Sequence, residues 1–205
     1  MRHSSRRREE ISPVPRGNER VVFCSHFLRG FGLPISGFLR SFLDFNNLQP
    51  HHLMPNAVTL LSTFVTACEG YISVLPTLEL WGAFFYGKLG TSTKDTAAEC
   101  GGFVTVRRRA KRNAFHVIKL AQSMKMWQQS YFYVENVDLA ANFLNLPAYE
   151  ANPPIGLRPN WGYKPKPVSP DAAAAIGRLH VLQESEGLVA SDLLIAFVEH
   201  RLLPL

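Results

Sequence analysis

At 205 residues, 46% apolar and 19% charged, the chain is long enough to bury a core and too apolar to be a disordered polar chain. Its net charge of +6 is carried by two segments, residues 1–20 with six Arg against three Glu and residues 107–112 with five cations, which excludes a surface that is basic throughout. Cys24, Cys68 and Cys100 are odd in number and far apart, which excludes a disulfide framework and a zinc knuckle and fits a reducing intracellular compartment.

In chain order, residues 1–20 are polar and Arg-rich, and they read as a disordered basic leader. No apolar stretch follows at once, so a signal peptide is not expected. The ordered part begins at Val21. Gly30-Phe31-Gly32-Leu33-Pro34 is a turn. Ile35, Phe38, Leu39, Phe42, Leu43 and Phe45 then keep helical spacing until Asn46-Asn47 ends the helix. Pro55 suits the first turn of a second helix, whose face carries Val58, Leu61, Phe64, Val65 and Cys68, with Gly70 just past its end. This apolar region, from Ala57 to Cys68, is too short to span a bilayer, and a soluble protein is expected. Pro76 opens a third helix with Leu80, Trp81, Phe84 and Phe85 as its bulk.

The pattern changes after Gly90. Residues 91–99 read as a polar loop, and Phe103-Val104-Thr105-Val106 as a strand. Ser130-Tyr131-Phe132-Tyr133-Val134 reads as its partner, with a third strand expected near His116–Leu120. Such a hairpin needs the helices to pack on. Seven prolines in residues 147–170 predict an extended linker, with Trp161 and Tyr163 as anchors. The last region, from Asp171, carries Ile176, Leu179 and Leu182 on one stripe, and Ser191 is placed to cap a final helix with Leu194, Phe197 and Val198. The predicted class is therefore mainly α with a small antiparallel β element (α+β). Its parts are a leader (1–20), a helical core with a β hairpin (21–146), a Pro-rich linker (147–170) and a C-terminal helical segment (171–205). The apolar ending at Arg201–Leu205 suggests truncation.

Chemistry is harder to place. A metal-dependent nuclease needs convergent carboxylates, and Asp44, Asp95, Asp138, Asp171 and Asp192 fall on scattered segments. The aspartic-protease signature is absent. Cys24 and His26 are read as a buried thiol beside a surface imidazole, and His51-His52 as a turn capped by imidazoles rather than a metal pair. Gly101-Gly102 lacks the ending of a phosphate loop and reads as a turn. No catalytic residue, metal ligand or cofactor is assigned. The sharpest candidate is the run Arg107, Arg108, Arg109, Lys111 and Arg112. Its cations could neutralise phosphates or serve as an import signal, and a solvated loop between strands explains it as well. Tyr131 and Tyr133 alternate with Phe132, which allows either base stacking or core packing beneath a half-exposed tyrosine face.

The ordered series His26-Phe27-Leu28-Arg29-Gly30-Phe31-Gly32-Leu33-Pro34, Phe38-Leu39-Arg40, Leu48 to Leu53, Pro55-Asn56, Phe64-Val65, Cys68-Glu69-Gly70-Tyr71, Pro76 and Leu80-Trp81 resembles the start of the plant gypsy-type transposon domain, often labelled a transposase. Gly101-Gly102, Trp127, Phe132-Tyr133-Val134, Asn136, Asn160-Trp161, Gly187-Leu188, Leu193-Leu194, Phe197 and Arg201–Leu205 continue it. The resemblance implies a domain of long-terminal-repeat retroelement proteins and transfers no catalytic residue. What it implies is a non-catalytic structural or interaction domain, gag-like in role. The expected partners are further copies of the chain or other retroelement proteins, with DNA or RNA through the basic segments, and no membrane. The alternatives are a nucleic-acid-binding module that uses the Arg-rich 107–112 segment and, second, a transposition enzyme.

Overall fold

The computed structural model describes residues 2–5, 13–89, 104–109, 126–135, 144, 146–147, 168–185, 187 and 190–202. Their architecture is α+β, and its centre forms where the helical spacings are clearest. Helix α2 (Gly37–Asn46) starts where the Ser36 hydroxyl accepts a hydrogen bond from Leu39 N–H at 3.1 Å, and it stops at Asn47 in the left-handed conformation. A 3₁₀ turn (Pro50–His52) leads into α3 (Pro55–Thr66), which has proline at its first position and is buried along most of its length. The hydroxyls that such burial would strand bond back within the helix. Thr63 donates to Thr59 O at 2.9 Å and Thr66 to Ser62 O at 3.1 Å.

A π-helical turn (Ala67–Tyr71) ends that helix, and α4 (Leu78–Phe84) begins after Thr77, whose hydroxyl accepts from Leu80 N–H. Trp81 of α4 is the hub of an aromatic cluster. Its ring stacks on Phe85 at 4.3 Å and meets Phe64 at 5.2 Å, Phe42 at 5.5 Å and Phe38 at 6.0 Å. Ring pairs in these offset and edge-on geometries add to the hydrophobic gain of burial.

The strands depart from the expected hairpin. Strand β4 (Val104–Arg108) pairs antiparallel with β3 (Phe85–Leu89), not with residues 130–134. Strand β5 (Tyr131–Glu135) lies between β1 (Arg2–Ser5) and β2 (Glu19–Phe23), so both of its edges are already paired. The third helix accordingly ends one residue early. Phe85, expected to be helical, opens β3 while keeping its ring in the aromatic cluster. The third strand near His116–Leu120 and nearly all of the Pro-rich linker fall outside the described residues.

Short connections tie these parts together. Helix α1 (Cys24–Phe27) follows β2 directly, and Cys24 N–H donates to Ser130 O at 2.9 Å. Met54 N–H donates to Val104 O at 2.8 Å and links the start of α3 to β4. Helix α5 (Pro170–Ser185) is pinned to α4 at Ser169, whose hydroxyl donates to Glu79 Oε2 at 2.8 Å and whose N–H donates to Oε1. Helix α6 (Ala190–Phe197) packs on α3 and continues as a π-helical turn (Val198–Leu202). Ser191 lies inside α6 instead of capping it, because the helix begins at Ala190.

Candidate functional site

The basic run begins on β4. Arg107 and Arg108 are its last two residues and are exposed. Arg109 is half-buried and built into the fold. Its N–H donates to Phe84 O at 2.8 Å, its Nε–H donates to Gly82 O at 2.6 Å, and its guanidinium carbon lies 5.5 Å from the Tyr86 ring centroid. The first part of the run is therefore the end of a strand, not a loop. Lys111 and Arg112 lie outside the described residues.

Pairing with β3 adds two residues that sequence reading passed over. Tyr86 stands opposite Arg107, and Lys88 opposite Thr105. Residues opposite one another in an antiparallel ladder share a face. Phe85, Val104 and Val106 take the buried face, so Tyr86, Lys88, Thr105 and Arg107 occupy the other. Lys88 is exposed, and among the described residues neither its ammonium nor the Arg107 guanidinium has an ion pair or hydrogen bond. In the sequence, Phe85 counts toward the third helix, and Tyr86-Gly87-Lys88 carry no strand signal of their own.

The tyrosines of β5 are not a stacking surface. Tyr131 and Tyr133 alternate with Phe132 as expected, but both are buried with Val21 and Phe23, and Trp127 packs beside them. Val14 N–H donates to the Tyr133 hydroxyl at 3.0 Å, which brings residues 13–16 close to that face. Phe132 turns to the main core and meets Phe27 at 5.6 Å.

Cys24 and His26 reverse their expected environments: Cys24 is half-buried, and His26 is wholly enclosed. The reason is local. Helix α1 turns His26 inward between Phe23 and Trp127, whose rings lie 5.5 Å from its own. His26 Nε2 lies 3.1 Å from Leu53 O and, facing a carbonyl, carries the proton. Its Nδ1 and the Ser25 hydroxyl are buried without a hydrogen-bond partner among the described residues. Burial lowers the His26 pKa to about 4, against a partly compensating bond to Leu53.

His52 caps its own turn, as Nδ1 accepts from Gln49 N–H at 3.0 Å, and burial lowers its pKa to about 4. His51 is held well below the usual imidazole range by burial, then by the neighbouring His52 and His26. Burial, with Glu69 adding to it, raises the Cys68 thiol to about 12, so this cysteine is no nucleophile at neutral pH.

The carboxylates of the described residues are dispersed. Asp44 pairs with Arg40 on α2 at 2.7 Å, while Asp171 and Asp192 are exposed on α5 and α6. Asp95 and Asp138 lie outside the described residues. Among the described residues no three His, Cys, Asp or Glu side chains gather where they could hold a metal ion, and no helix is long and apolar enough to cross a membrane.

Two clefts remain. One, of about 240 Å³, lies between the Gly30–Ser36 segment, α2, α3 and Phe197 of α6. The other, open and of about 710 Å³, runs between Tyr71–Ser73 and α5 and is bordered by Tyr71, Val181 and Leu182. Val181 is 62% exposed and Tyr71 38%.

No curated protein and no solved structure matches the chain. Residues 21–88, which run from β2 into β3, match the family model described as putative gypsy type transposon, and the similarity is to that segment.

Proposed function

We propose that the chain is a non-catalytic interaction module of a gypsy-type retroelement protein, gag-like in that it associates with further copies of itself. The observation that carries this reading is the open cleft beside α5. Exposed apolar side chains clustered around a concave surface mark protein contacts more often than bare solvent-facing surface. Val181 projects beside a hollow bordered by Tyr71 and Leu182. One patch thus supplies both a projection and a recess, which is what a twofold contact between identical chains requires. The dispersal of the described carboxylates and the high pKa of Cys68 support the non-catalytic part.

Light scattering on the size-fractionated protein tests the assembly. A dimer or larger species is expected at tens of micromolar, and Val181→Asp is expected to return it to monomer without changing its melting temperature. A strict monomer at high concentration sinks the assembly reading. Cleavage or joining of DNA by the purified protein with magnesium or manganese sinks the non-catalytic one.

A further inference from the structure

We infer that the outer face of the β3–β4 ladder is a binding site for single-stranded nucleic acid. Three observations converge on it. Lys88 and Arg107 are exposed cations on one face of the ladder, and neither is neutralised by a carboxylate among the described residues. Tyr86 lies between these charges in the ladder, directly opposite Arg107. Its ring is held by the guanidinium of Arg109, which is itself anchored on Gly82 O and Phe84 O.

A ladder face with an aromatic ring among cations is suited to a strand whose bases are unstacked. The ring offers a surface to a base, and the cations meet the flanking phosphates. A duplex keeps its bases stacked and would use the charges alone. The site is distinct from the cleft beside α5, and it does not depend on self-association.

The test is fluorescence anisotropy of the full chain with labelled 20-mers of oligo(U), oligo(dT) and a duplex of the same length, from 50 to 300 mM salt. Single strands are expected to bind more tightly than the duplex. A preference for oligo(U) or oligo(dT) identifies the strand as RNA or DNA, and either supports the site. The double substitution Lys88→Gln/Arg107→Gln should weaken binding about tenfold and reduce the logarithmic salt slope by about 1.4, from two lost phosphate contacts. Tyr86→Leu should also cost about tenfold, while Tyr86→Phe keeps the affinity. Arg40→Gln, which removes a cation on α2, is the control for net charge. The inference is overturned if no single strand binds at 50 mM salt, or if the duplex binds as tightly. It is equally overturned if Arg40→Gln weakens binding as much as Lys88→Gln/Arg107→Gln does, or if Tyr86→Leu binds as the parent does. Unchanged melting temperatures in the variants separate lost binding from lost folding.

Discussion

Gly30 shows how much a single side chain can decide. Its φ is +90°, where L side chains are strained, and an added Cβ would lie 2.5 Å from Ser62 Oγ and 3.1 Å from Phe197. Rotating the Ser62 hydroxyl off Arg29 O, 3.1 Å away, would not suffice, since the added Cβ also lies 2.8 Å from Ser62 Cβ, which is fixed by the backbone of α3. Gly30→Ala is therefore expected to lower stability by about 2–3 kcal/mol, combining backbone strain with a displaced contact. Urea denaturation reads this directly. A loss below about 0.5 kcal/mol would mean that the turn relaxes freely. Phe31, next in the chain, is fully buried, so the turn also delivers an aromatic ring to the core.

At the scale of elements, the most exacting joint is the one between α4 and α5. The Glu79 carboxylate accepts from both the N–H and the hydroxyl of Ser169, and the Ser169 hydroxyl in turn accepts from Ala172 N–H at 3.3 Å. A negative charge thus stands at the start of a helix, where exposed N–H groups favour it. Glu79→Ala is expected to cost about 1–2 kcal/mol, and hydrogen exchange should show the loss concentrated in the first turn of α5. Exchange unchanged in that turn would count against the joint. The sequence could not reveal this pairing, since Glu79 and Ser169 are 90 residues apart.

What it did reveal were the helices. Phe38, Leu39, Phe42 and Leu43, then Val58, Leu61, Phe64 and Val65, repeat at helical spacing, and the same residues are buried in the core. Strands have no comparable local signature when their partners are distant. Strands β1 and β2 went unread because β5, their partner, is more than 100 residues away. Phe85, which opens β3, continues the aromatic bulk of α4 and so carries a helical signal in the sequence. The basic candidate was legible as charge alone. Its neighbours Tyr86 and Lys88 reach it only through a ladder that no local pattern announced.

For the molecule as a whole, the histidines link the first sheet to the turn before α3. His26 reaches Leu53, His52 caps the turn at Gln49, and the His51 and His52 rings are 4.2 Å apart. All three have pKa values lowered in the folded chain, His26 and His52 to about 4 from an ordinary 6.5. A lowered folded-state pKa means that the unfolded chain takes up protons first. Their contribution is thus complete above about pH 6.5 and is lost as pH falls through about 4. Each of the two shifts corresponds to roughly 3 kcal/mol at full protonation. The urea midpoint should fall steadily from pH 7 to pH 4, and His52→Gln should flatten that decline. An acid-insensitive midpoint would contradict the burial of these rings.

The antiparallel pairings carry one more consequence, for where this domain begins and ends. The gypsy-type match stops at residue 88, yet β2 inside it needs β5, β3 needs β4, and Met54 leans on the carbonyl of Val104. An excised 21–88 piece would keep its tryptophan hub but have two raw margins with unclaimed amide and carbonyl groups, open to any extended chain nearby. The stretch by which kinship is recognised is thus smaller than the stretch that closes upon itself.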